Sequence, residues 1–145
     1  MTTARAQWRW NWSKGKVSKS ALARTLGLLA EVPTGSLVFI ACHHPLIEPE
    51  TRASAQTHRG ADALAALAEA GAHAVLTGHV HDPFDIAHVI DGNPIRMIGA
   101  GTLSERTRTT PPSFNEIRVD GGKFDVVVRG MDGKPDEVLP REQAG

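Results

Sequence analysis

Four histidines carry the chemistry this chain can be read for: His43, His44, His79 and His81. The second pair follows a short apolar run, Ala74-Val75-Leu76-Thr77, that reads as a buried strand ending at Gly78. Gly78 has no Cβ, so the backbone can turn there and let a ligand or another segment approach. If the backbone stays extended beyond it, side chains at i and i+2 share a side. His79 and His81 then project together from one strand end. Two imidazoles so placed can hold one metal ion, or one ion each of a close pair.

The first pair repeats the pattern. Leu37-Val38-Phe39-Ile40-Ala41-Cys42 is a continuous apolar run rich in strand-forming residues, it ends in His43-His44, and Pro45 stops it. Two buried strands that each end in histidine bring all four imidazoles to one edge of one sheet. In parallel α/β sheets, ligands bind at that edge, beyond the carboxyl ends of the strands. The convergence points to a divalent metal site more strongly than either pair alone.

Composition narrows the class. The chain has 145 residues, with 16 lysines and arginines against 16 acids. That length supports one domain with a sizeable core. The even balance points away from nucleic acid and from anionic membrane surfaces, so metal must supply positive charge for a phosphate substrate. A lone cysteine forms no internal disulfide and fits a reducing, cytoplasmic setting. Cys42 reads as core filler, and strand alternation turns it away from His43. No run is long enough for a membrane span, and no hydrophobic signal segment opens the chain.

Elements that position the histidines follow in chain order. Residues 1–7 read as a short strand. Trp8, Trp10 and Trp12 alternate with polar residues as an apolar flap or a stacking platform. Ser18 caps a helix whose Leu22, Leu26 and Leu29 recur at helical spacing. The Leu37–Cys42 strand comes next, then a polar loop from Leu46 to Thr57 carrying Glu48, Glu50 and Arg52. A second helix is expected from about Gly60 to Ala70, with Leu64 and Leu67 inward and Gly71 as its stop. The order β-α-β-α-β implies a largely parallel sheet.

After Asp82-Pro83 the grammar becomes antiparallel. Phe84–Ile90 and Ile95–Ile98 form strands about the Asp91–Pro94 turn, and Phe114–Val119 and Phe124–Val128 about Asp120-Gly121-Gly122. These hairpins finish the sheet. Between them, a glycine-led loop from Gly99 carries Arg106 and Arg108, which either face solvent or contact a phosphate. Residues 131–145 lack any period and read as a loosely held polar tail. His58, His73 and His88 do not stand at a strand's carboxyl end and read as structural or exposed.

Phe39 to Leu46, followed by Leu76-Thr77-Gly78-His79-Val80-His81, resembles the last two motifs of the calcineurin-like metallophosphoesterases. Thr3–Ala6 and Lys14–Ser18 are similar to the middle of bacterial members of the cyclic-nucleotide phosphodiesterase type. Gly99–Glu105 and Ser113–Ile117 are similar to their closing segments. The resemblance implies an α/β sandwich with a two-metal centre of manganese, iron or zinc that hydrolyses phosphomono- or phosphodiesters. It makes His79 and His81 metal ligands, one to each ion, and His43 a further ligand. His44 would support a ligand or hand a proton to substrate.

The family's earlier Asp-x-His, Gly-Asp-x-x-Asp and Gly-Asn-His motifs do not occur here, so residues 1–130 correspond to the carboxyl-terminal half of such a domain. Without the bridging carboxylate, neutral nitrogens leave two divalent ions repelling one another. The expectation is therefore self-association, or pairing with a complementary half-domain along an exposed strand edge. The alternative is an incomplete metal-binding or structural module. Metal-free histidine-triad chemistry would need a histidine at position 83, where the chain has Pro83.

Overall fold

The structure is a computed structural model that describes residues 1, 14–49, 56–104, 111–132 and 137–144. The expected first strand, the three tryptophans, Glu50, Arg52, Arg106 and Arg108 lie outside the described residues.

The chain runs β1 (Gly15–Lys16), α1 (Lys19–Leu29), β2 (Phe39–Ala41), β3 (Thr57–His58), α2 (Gly60–Glu69) and β4 (Ala74–Thr77). It continues with β5 (Phe84–Ile90), β6 (Asn93–Gly99), β7 (Ser113–Asp120), β8 (Lys123–Gly130), β9 (Glu137–Val138) and β10 (Glu142–Gln143). Helix α1 starts where the sequence says it should. Ser18 has extended backbone, and its Oγ accepts from the Ala21 N–H at 3.1 Å. Leu29 is buried, with Leu22 and Leu26 packed against the same core. Helix α2 buries Ala63, Leu64, Leu67 and Ala68 and stops before Gly71, whose φ is 82°. At its other end Gly60 is obligatory, because a Cβ there would stand 1.7 Å from the Leu46 carbonyl oxygen.

Strand order in the main sheet is β10-β5-β6-β4-β2, with β2, β4 and β6 parallel and β5 antiparallel to β6. Strand alternation decides what covers each face. Ile40, Val75 and Ile95 meet the two helices, while Ala74 and Ile98 meet Phe124 and Val126 of β8. Helices thus cover one face and the three-stranded sheet β7-β8-β9 covers the other. Between the sheets, Arg96 is held by Asp85 through a two-pronged ion pair (Nε to Oδ1 2.9 Å, Nη2 to Oδ2). Arg96 also donates from Nη1 to the Phe124 carbonyl at 2.7 Å. Its guanidinium lies 4.0 Å from the centre of the Phe124 ring.

Several expectations change. The Leu37–Cys42 run pairs as a strand only over Phe39–Ala41. The first hairpin does not finish the sheet, because β6 inserts beside β4 and makes the hairpin central. The second forms its own sheet, because its inner face carries Phe124 and Val126 and must bury them. Both turns are two residues long with positive φ throughout, Asp91-Gly92 at 50° and 82° and Gly121-Gly122 at 53° and 77°. Within the tail, Glu137–Val138 and Glu142–Gln143 are paired. β9 adds to β8 and β10 adds to β5, meeting the backbone groups those edges present. Among the described residues, no helix is long and apolar enough to cross a membrane.

Candidate metal centre

The carboxyl ends of β2 and β4 are tied together beyond the strands themselves. The Cys42 N–H donates to the Leu76 carbonyl at 2.9 Å and the Gly78 N–H to the His43 carbonyl at 3.1 Å. This extended ladder carries His43 and His79 to one place. His79 Nδ1 lies 3.3 Å from His43 Nε2. His44 joins them, its ring centre 4.7 Å from that of His43 and 4.2 Å from that of His79. One ring nitrogen from each of the three falls within 4.8 Å of the others.

The donor chemistry suits a divalent ion, and one donor pair already has the spacing that a single ion needs. Zinc binds imidazole nitrogen at about 2.0–2.1 Å in tetrahedral geometry, which separates two ligand nitrogens by about 3.3 Å. The His43–His79 separation already has that value. Three neutral imidazoles with an open fourth position form one of the ligand sets of catalytic zinc. Among the described residues the cluster contains no carboxylate.

Each ring is held differently. His43 is exposed and faces solvent, while His44 is only 2% exposed. The small β1–β3 sheet clamps His44 from behind. Gly15 packs so closely that a Cβ would lie 2.8 Å from His44 Cβ, and Thr57 Oγ1 donates to the Pro45 carbonyl at 2.6 Å. His79 sits on a turn in which its φ is 69° and that of His81 is 64°. Val80 between them is fully buried against Phe84 and Met97 and anchors the turn.

The sequence brought four histidines to this edge, and the structure gathers three. His81 stands outside the three-nitrogen cluster. The reason offered for pairing it with His79 needed extended backbone, and the left-handed φ values remove that premise. His44 enters because the chain bends directly after β2, so strand alternation no longer separates it from His43. Gly15 and Thr57 were missed as positioning residues, since strands of two residues carry no periodicity to read.

The remaining candidates sit elsewhere. His73 Nδ1 accepts from the Val38 N–H at 3.1 Å, a structural role. His58 lies in β3 and His88 within β5. Burial pushes the Cys42 thiol up to about 11, the Met1 ammonium opposing weakly, and its Sγ donates to the His44 carbonyl at 3.3 Å. A thiol so raised is not a nucleophile at neutral pH. No family model matches the chain, and a search of curated proteins returns no match.

Proposed function

We propose that His43, His44 and His79 hold one divalent metal ion, and that this edge of the sheet hydrolyses phosphate esters in the manner of the metallophosphoesterases that the sequence resembles. The observation that carries the reading is the meeting of three imidazole nitrogens within 4.8 Å. A zinc-like ion bound there supplies Lewis-acid polarisation of a phosphoryl oxygen and a water acidified to near neutral pH.

The chain's own residues supply the rest. His44, locked by Gly15 and Thr57, fixes one ligand direction; His43, exposed, leaves the site open to a substrate from solvent. His81, on the same turn but outside the cluster, serves the substrate rather than the metal in this reading. Among the described residues strand β2 ends the main sheet, its Ala41 carbonyl accepting from the Met1 ammonium at 2.6 Å, and in this reading a strand from a second copy or a complementary half-domain pairs along it. Light scattering after size exclusion reads that pairing, and a monomer at all concentrations counts against self-association.

A second reading, metal binding without turnover, is favoured by one observation: among the described residues no carboxylate belongs to the cluster. One experiment separates the two. Zinc and manganese binding is measured by calorimetry and hydrolysis of bis(p-nitrophenyl) phosphate by absorbance, each with chelator and with His79→Ala. Binding with metal-dependent turnover, both lost in the variant, supports the phosphoesterase. Binding without turnover supports the second reading, and absence of binding removes both.

A further inference from the structure

At the opposite end of the main sheet lies a cavity of about 580 Å³. Leu37, which precedes β2, and Ile95, near the start of β6, line it together with Phe124 of β8. These positions mark the amino-terminal edge of the parallel strands, whereas the histidine cluster marks the carboxyl-terminal edge. The four residues of β4 separate the two by about 13 Å at 3.3 Å per residue. The volume lies within the range of small-molecule sites, and an apolar lining with a few polar groups is their usual composition.

The polar groups are of one predominant sign. Arg96, Lys123 and Arg141 line the cavity against a single carboxylate, Asp125. Arg96 is already neutralised by Asp85, from within the protein. Lys123 makes no ion pair among the described residues, and Arg141 reaches Asp125 only at 3.8 Å with both side chains largely solvated. An exposed pair that long is worth little, so an incoming anion displaces no strong partner. Two histidines also line the cavity: His73, whose Nδ1 accepts from the Val38 N–H, and His88, which keeps a buried Nε2 with no hydrogen-bond partner and is held toward its neutral form by burial. His88 adds polarity without adding a fixed charge.

We propose that this cavity is a second binding site, for an anionic amphiphile whose apolar chain lies along Leu37, Val89 and Phe124. Its carboxylate or phosphate meets Lys123 and Arg141. A cation of the same shape is rejected by those two groups, and a small inorganic anion gains nothing from the apolar wall. The site is independent of the metal centre and of any reaction there.

Matched probes test it on the full chain: decanoate and decyltrimethylammonium, which share a chain and differ in charge. Titrations followed by amide chemical shifts report both affinity and place. Decanoate saturates one site with shifts centred on Leu37, Val89 and Phe124, and the ammonium binds roughly tenfold or more weakly. The double variant Lys123→Glu/Arg141→Glu, at exposed positions that leave the core untouched, reverses the preference. His79→Ala leaves decanoate affinity unchanged. Equal binding of the two probes, no reversal in the double variant, or shifts that map elsewhere overturn the proposal.

Discussion

Gly15→Ala tests whether the β1–β3 clamp sets the metal centre. The added methyl would lie 2.4 Å from Thr57 Oγ1, 2.8 Å from His44 Cβ and 2.9 Å from His44 Cγ. Ordinary carbon contacts are near 3.5–4.0 Å, so each neighbour must retreat by roughly 1 Å. Neither yields easily, because Thr57 holds the Pro45 carbonyl at 2.6 Å and His44 is almost wholly buried. Overpacking of this kind costs about 1–3 kcal/mol of stability. Metal ligation tolerates only about 0.2 Å of error, so a ring moved by several tenths of an ångström is a damaged ligand. Loss of a ligand-orienting contact lowers metal affinity by about 10–100-fold, or about 1.4–2.8 kcal/mol, and displacing the ligand itself should do at least that. Urea unfolding in chelator gives the first quantity, and zinc or cobalt calorimetry the second. Gly27→Ala is the control. It has open space around its would-be Cβ and lies inside α1, so it should stabilise by about 0.5–1 kcal/mol and leave metal affinity alone. A folded Gly15→Ala protein that binds metal as tightly as the parent refutes the assignment of His44 as a ligand.

Three further outcomes follow from named contacts. Asp85→Ala strands the Arg96 guanidinium, whose side chain is 10% exposed, and should lower stability by about 3–5 kcal/mol in urea unfolding; Asp85→Leu/Arg96→Met restores most of it. Burial holds His88 below its ordinary 6.5, so the unfolded chain takes up that proton first and stability falls as pH drops through 6.5 toward the folded value. Comparing His88→Gln with the parent at pH 7.5 and pH 5 should show a smaller acid loss in the variant; identical losses exclude His88 as a contributor. His79→Gly removes a proposed ligand while relieving a φ of 69°. The relief, about 1–2 kcal/mol, roughly offsets the added backbone entropy of glycine, so stability changes by under about 1 kcal/mol while metal binding is lost.

Legibility in the sequence tracks the size of each signal. Ser18 and the leucines after it announce α1 because a cap and three turns of periodicity agree. Asp91-Gly92 and Gly121-Gly122 announce their hairpins because only such residues accept two successive positive φ values. The β1–β3 pair stays hidden, since its partners are forty-two residues apart in register, Gly15 to Thr57, and two residues long. The tail strands are hidden for a related reason. Glu137–Val138 and Glu142–Gln143 pair through backbone alone, and their side chains remain exposed. At the site, apolar runs ending in histidine pointed to the edge where His43, His44 and His79 lie together. Which three rings meet depended on the backbone just past each strand, where alternation ceases to apply.

That backbone bears on the proposed metal site. Histidine tolerates left-handed φ better than branched residues do, yet each such residue still costs about 1–2 kcal/mol beside glycine. A turn selected for stability alone would carry Gly or Asn on either side of Val80, with no loss of the Val80–Phe84–Met97 contact that anchors it. The chain places histidine at both positions, one of them with its Nδ1 3.3 Å from a ring on the neighbouring strand. In the proposed site that backbone, anchored by Val80, sets His79 beside His43. Arg59 (φ 60°) and Asp91 (φ 50°) take the same backbone in connecting turns, so it is the approach of His79 to His43, not the φ value, that supports the proposed site.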